Sequence, residues 1–125
     1  MGYESRIYVV DKHKTIIRQE INGKQYTWGE VIAIFDLCKA YDVSDRMRQY
    51  PATDAYIYAD DGNTEIVADC YGSPLREIPL KDAIQIIEDA AASEPNCRRY
   101  TPCLRLLQGF DESEWDNLVV LHFGY

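Results

Sequence analysis

The stretch "NLVVLHF" at 117–123 carries an almost unbroken apolar run near the end of the chain. A strand with one wet face alternates apolar and polar residues, so a continuous run argues for a central strand covered on both faces. A strand this apolar is expected to insert between others rather than lie at an edge. The rest of the fold must supply its neighbours and its cover.

Those neighbours are sought first at the N-terminus. "SRIYVV" at 5–10 is rich in β-branched and aromatic residues and reads as a strand. It is expected to turn at "DKHK" into a second strand, "TIIRQEI" at 15–21, which stops at "NG". Thr27 and Glu30 have the spacing of a capping box, which predicts a helix running to about Tyr41. Trp28, Val31, Ile32, Phe35 and Cys38 would form its buried stripe, widened by Ile34 and Leu37. Residues 42–54 read as an irregular connection.

"AYIYADDGNTEIVADCYG" at 55–72 is the clearest hairpin, with Tyr56, Tyr58, Ile66 and Val67 marking its strands. Asp61-Gly62 or Gly62-Asn63 supplies the turn. Pro79 opens a helix with Leu80, Ala83, Ile84, Ile87, Ala90 and Ala91 at spacings of three and four. Thr101-Pro102 starts a short third helix through Leu107, closed by Gly109. The expected order is β-β-α-β-β-α-α-β. We therefore expect a single α+β domain over 1–125: a two-layer sandwich, with a mostly antiparallel sheet, two main helices and one short one.

Charge narrows the partners. Twenty-one acidic against 13 basic residues give a net charge of -8, which opposes general attraction to nucleic-acid phosphates and suits a basic partner. No apolar run is long enough to span a bilayer, and the N-terminus lacks the basic and apolar regions of a signal peptide. A cytoplasmic location is the resulting expectation. The four cysteines (38, 70, 97 and 103) show no paired metal-site spacing, and His13 and His122 lie near opposite ends of the chain. Reduced thiols and no cofactor or metal are expected, with His122 as a structural histidine inside its strand.

One spelling points to chemistry. "FDLCKAYD" at 35–42 and "YIYADDG" at 56–62 look like the carboxylate motifs of reverse transcriptases. A small palm-like, metal-dependent nucleotidyl enzyme would use Asp11 after the first strand, with Asp60 and Asp61 on the hairpin, to hold Mg²⁺. Against this, the gap from Asp36 to Asp60 is too short for the segments that grip template and nucleotide. There is also no Gly-rich phosphate loop and no basic stripe. Aspartate before glycine is what turn chemistry alone selects.

Ten tyrosines, several in or beside loops, fit a protein-binding module better than a catalytic pocket. Asp60, Asp61, Glu65 and Tyr71 form the candidate partner surface around the hairpin. "MGYES", "FDLCKAYD", "YIYADDGNTEI", "YGSPL", "RRYTPCL" and "NLVVLHFGY" together resemble a family of small uncharacterised proteins from phages and prophages of Gram-positive bacteria. The resemblance implies no activity, cofactor or catalytic residue. It implies an accessory protein that binds a host or phage protein, while the net charge and the lack of a membrane-length apolar run give the expectation of no direct nucleic-acid or membrane binding. Inhibition of a basic, nucleic-acid-handling host protein is the sharpest form of that expectation. The alternatives are the palm-like enzyme and a self-associating structural protein.

Overall fold

The computed structural model describes residues 5–12, 17–38, 40–59, 61–69 and 72–124. Among these residues there are eight strands: β1 (Ser5–Asp11), β2 (Arg18–Ile21), β3 (Lys24–Trp28), β4 (Glu30–Cys38), β5 (Ala55–Tyr58), β6 (Glu65–Ile66), β7 (Arg76–Pro79) and β8 (Leu118–Gly124). Three helices join them: α1 (Tyr41–Met47), α2 (Leu80–Ser93) and α3 (Tyr100–Gln108).

The apolar run at the C-terminus forms β8, which lies inside a sheet of order β4-β1-β8-β7. All three pairings in this sheet are antiparallel. Alternate side chains leave a strand on opposite faces, and here both faces are covered. On one side Ile7, Val9, Ile78 and Val120 share a core with Val43, Met47, Ile87 and Leu107 of the helices. On the other, Tyr8, Val10 and Leu121 pack with Ala55, Ile57 and Leu75. That second cover comes from a small sheet of order β2-β3-β5-β6. The fold is α+β with helices gathered on one face of the main sheet, as expected, and the small sheet adds a layer beneath it. Each large aliphatic side chain so buried contributes about 1.5–3 kcal/mol.

Lys12, just past β1, locks the two sheets together. Its Nζ donates to Asp54 Oδ1 at 3.1 Å and to both Glu77 oxygens at 3.0 Å. Burial by itself would lower this ammonium's pKa, but the Glu77 and Asp54 contacts outweigh burial and raise it.

Three expectations need correction. The first strand does not form a hairpin with the segment at 15–21, of which residues 15 and 16 lie outside the described residues. β1 pairs instead with β4 and β8. β2 folds back on β3, with Arg18 opposite Thr27 and Ile21 opposite Lys24. Asn22 and Gly23 both take positive φ (53° and 81°), the geometry that joins two strands by a two-residue turn. The "NG" thus pairs 18–21 with 24–27.

The capped helix over 27–41 is a pair of strands. Thr27 donates its amide to the Asp54 carbonyl at 2.8 Å, in a parallel pairing of β3 with β5. Gly29 donates to the Tyr56 carbonyl at 2.8 Å where the chain crosses from the small sheet to the main one. From there Ala33, Phe35 and Leu37 turn toward the helices, while Ile32 and Ile34 stay 45% and 48% exposed. That is a period of two. Because residues 31–37 are apolar on both faces, they satisfy helical spacing too, and β-branched preference together with pairing to β1 decides between them. Asp36 closes the strand by accepting the Cys38 amide at 2.8 Å, with Cys38 at φ 58°.

The connection expected to be irregular contains α1, which buries Val43, Ser44 and Met47. By contrast α2 begins directly after Pro79, buries Leu80, Ala83, Ile84 and Ile87, and matches its expected stripe. Helix α3 begins at Tyr100, two residues before Pro102, its expected first position, and is followed by Gly109.

Candidate functional site

The hairpin singled out in the sequence is present, with Ile57 opposite Ile66 and Tyr58 opposite Glu65. Its turn is built by Asp61. Oδ1 accepts the amides of Asn63 and Thr64, both at 2.9 Å, and Oδ2 accepts the Thr64 hydroxyl at 2.6 Å. The Thr64 hydroxyl, then the two amides, hold this carboxyl at about 2, well below the ordinary carboxylate range. Gly62 follows at φ 72°. Glu65 accepts the Gln19 side-chain amide at 2.7 Å, tying β6 to β2. Both described carboxylates of the expected partner surface are therefore engaged within the chain. Asp60 and Tyr71 lie outside the described residues.

Asp11 ends β1 opposite Glu30 and Leu118, in the main sheet, whereas Asp61 belongs to the small one. Among the described residues no three His, Cys, Asp or Glu side chains are grouped to hold a metal ion. Asp60 lies outside the described residues, and of the other two candidates Asp11 stands at the end of a main-sheet strand while Asp61 stands in the turn after β5.

His122 is 2% exposed within β8, with Nε2 hydrogen-bonded to the Ser5 hydroxyl at 2.9 Å and near the Ser44 hydroxyl at 3.4 Å. Burial, then the Arg48 charge, pushes its pKa down to about 4. A neutral imidazole bridging β1, α1 and β8 is the structural histidine the sequence led us to expect.

Two surfaces were not legible in the sequence. The first is the edge of the main sheet: among the described residues β4 pairs with β1 alone, and it shows Ile32 and Ile34 to solvent. Ile34 is the cross-strand neighbour of Tyr8, so it stands on the small-sheet side, beyond that sheet's cover. Arg99 donates to the Asp36 carbonyl at 2.8 Å, occupying one backbone acceptor near the far end of the strand. Assigning these isoleucines to a helix hid the surface, because a helix has no open edge.

The second surface is a groove of about 130 Å³ where α1, the end of α2 and the start of α3 meet. Val43, Ile86 and Tyr100 line it, with Asp42 and Glu94 at the rim. Arg46 spans the rim to Asp89, with Nη1 to Oδ2 at 2.8 Å, and Gln85 donates to the other Asp89 oxygen at 2.9 Å. Those two contacts, that of Arg46 first, hold the Asp89 carboxyl below its ordinary value. The groove could not be foreseen while 42–54 was read as irregular.

No protein-family model, curated protein or solved structure matches this chain.

Proposed function

We propose that this protein is a non-enzymatic binding module that holds another protein along the open edge of β4. The observation that carries this reading is a nine-residue edge strand with two half-exposed isoleucines, Ile32 and Ile34. An exposed apolar edge is a template for strand addition, in which backbone hydrogen bonds give affinity and alternate side chains give register. The net charge of -8 favours a basic partner, the class to which nucleic-acid-handling proteins belong. A phage or prophage accessory protein acting in the host cytoplasm on such a factor, by inhibition, is the form of the proposal that the sequence resemblance favours. No helix among the described residues is long and apolar enough to cross a membrane.

The test places a photo-crosslinking side chain at position 34 and, as a control, at Gln85 on α2. The reading requires a discrete adduct from position 34 that is absent from position 85, weakens with added salt and disappears in Ile32→Lys. Equal adducts from both positions, or none from 34, would refute it. The same edge supports one second reading, antiparallel pairing of two β4 strands in a symmetric dimer. Light scattering on the purified chain separates that from binding to a foreign partner. The palm-like enzyme is less favoured, because Asp61 spends its oxygens on its own turn.

A further inference from the structure

The edge of the main sheet remote from β4 carries a small polar pocket. Among the described residues β7 is the outermost strand there, and Arg76 at its start stands opposite His122 of β8. Paired side chains leave a sheet on the same face, here the face on which His122 meets Ser44 of α1. Arg48, just past α1, and Ser73, in the loop before β7, complete a cavity of about 70 Å³ with Asp69 on its wall. Asp69 Oδ1 accepts the Ser73 amide at 3.0 Å, which fixes the loop that places Ser73 there.

The charge that this pocket accepts follows from its walls. Two guanidiniums face one carboxylate, on a chain whose net charge is -8. Arg76 is half-buried and makes no ion pair among the described residues; its guanidinium donates to the Tyr50 carbonyl at 3.3 Å. Burial is the first cause of the low His122 pKa, and after it the Arg48 charge lowers that pKa more than the Asp69 charge raises it. The field at the imidazole wall is therefore positive. A half-buried cation beside a second one, inside a concave polar site, calls for an anion.

We propose that this pocket binds a phosphate group, with the Arg76 and Arg48 guanidiniums and the Ser73 hydroxyl as its donors. Guanidinium forks match phosphate oxygens in both geometry and charge. Donors from three separate segments suit a tetrahedral ion better than a flat carboxylate with two oxygens. The cavity admits the phosphate head, so the body of any phosphate ester would project into solvent. A single ion in so small and partly open a site is held with a dissociation constant on the order of 1 mM. The site lies at the opposite edge of the sheet from β4 and does not depend on β4 as the docking edge.

The experiment titrates the isotope-labelled full chain, at constant ionic strength, with sodium phosphate, sodium acetate and a capped Gly-phosphoserine-Gly peptide. Saturable amide shifts are expected at Ser73, Arg76 and His122, with acetate binding about tenfold more weakly than phosphate. Arg76→Gln should weaken phosphate binding about tenfold, through loss of one charge-assisted contact. Arg48→Gln, at an exposed position outside the strands, should do the same and guards against a folding defect in the first variant. Arg46→Gln removes equal charge from an arginine that sits on Asp89, and should change nothing. Tighter binding of the phosphopeptide than of the free ion would assign the site to a phosphorylated side chain, and the reverse would assign it to inorganic phosphate. Acetate binding as tightly as phosphate, shifts centred elsewhere, no saturation at tens of millimolar phosphate, or undiminished binding by both pocket variants would overturn the assignment. Failure of the crosslink at position 34 would leave these outcomes as they are, so the two readings fall separately.

Discussion

The Nε2 of His122 lies 2.9 Å from the hydroxyl of Ser5, joining the central strand to the beginning of β1 inside the protein. The pair is buried, with Ser5 at 0% and His122 at 2% exposure. Proton uptake by this imidazole must therefore oppose the fold.

The folded pKa of His122, about 4, lies below its ordinary value of 6.5. Below pH 6.5 the unfolded chain binds the proton first, so the stability contributed by the neutral histidine is complete above that pH. It is lost as pH falls from 6.5 toward 4, by on the order of 3 kcal/mol if the whole shift is realised. Urea unfolding at pH 7 and pH 4.5 should show this loss in the wild type and a shallower one in His122→Gln. Equal pH slopes in the two proteins would contradict the argument.

Asp61 gives the same sign in a lower pH window, from an exposed position. Its folded pKa, about 2, lies below the ordinary 3.8, so its contribution is present above 3.8 and disappears as pH falls through 2. Carboxyl-resolved NMR should find a midpoint near 2, moving upward in Thr64→Val, which removes the hydroxyl contact of 2.6 Å. Asp61→Ala should speed hydrogen exchange at the Ala59 amide, which donates to Thr64 across the turn at 2.8 Å. Millimolar Mg²⁺ should leave the Asp61 resonances in place; a shift there would revive the metal-dependent reading.

Cysteine reactivity should separate by burial. Cys103 is 0% exposed and burial pushes its thiol up to about 12, so almost no thiolate exists at pH 8. Cys38 and Cys97 are half-buried. Alkylation followed by mass spectrometry should label Cys38 and Cys97 first, and Cys103 only as fast as the protein unfolds. Early labelling of Cys103 would show that α3 does not stay packed on the sheet.

Some elements were readable because only one physical solution fits them. Helix α2 has a start signal at Pro79 and one apolar stripe, and β8 is too apolar for anything but an interior strand. The hairpin turn at Asp61-Gly62 was readable in the same way, and so was the structural use of its carboxylate. Segment 27–38 was not, since Val31, Ile32, Ile34, Phe35 and Leu37 fit both a helical and an extended period.

The sequence by itself determined the α+β class, the central place of β8, helices α2 and α3, and the hairpin that first drew attention to Asp61. Those features depend on neighbours a few residues away, through periodicity, proline and turn chemistry. Only the tertiary structure decided that β4 is a strand, unpaired on its outer edge among the described residues, because β1 supplies its backbone partners from far along the chain. It alone brought Arg48, Ser73 and Arg76 to one pocket, since α1 must pack beside the start of β7 before those side chains become neighbours. Local patterns set the elements, and long-range pairing and packing set the surfaces on which the proposed functions rest.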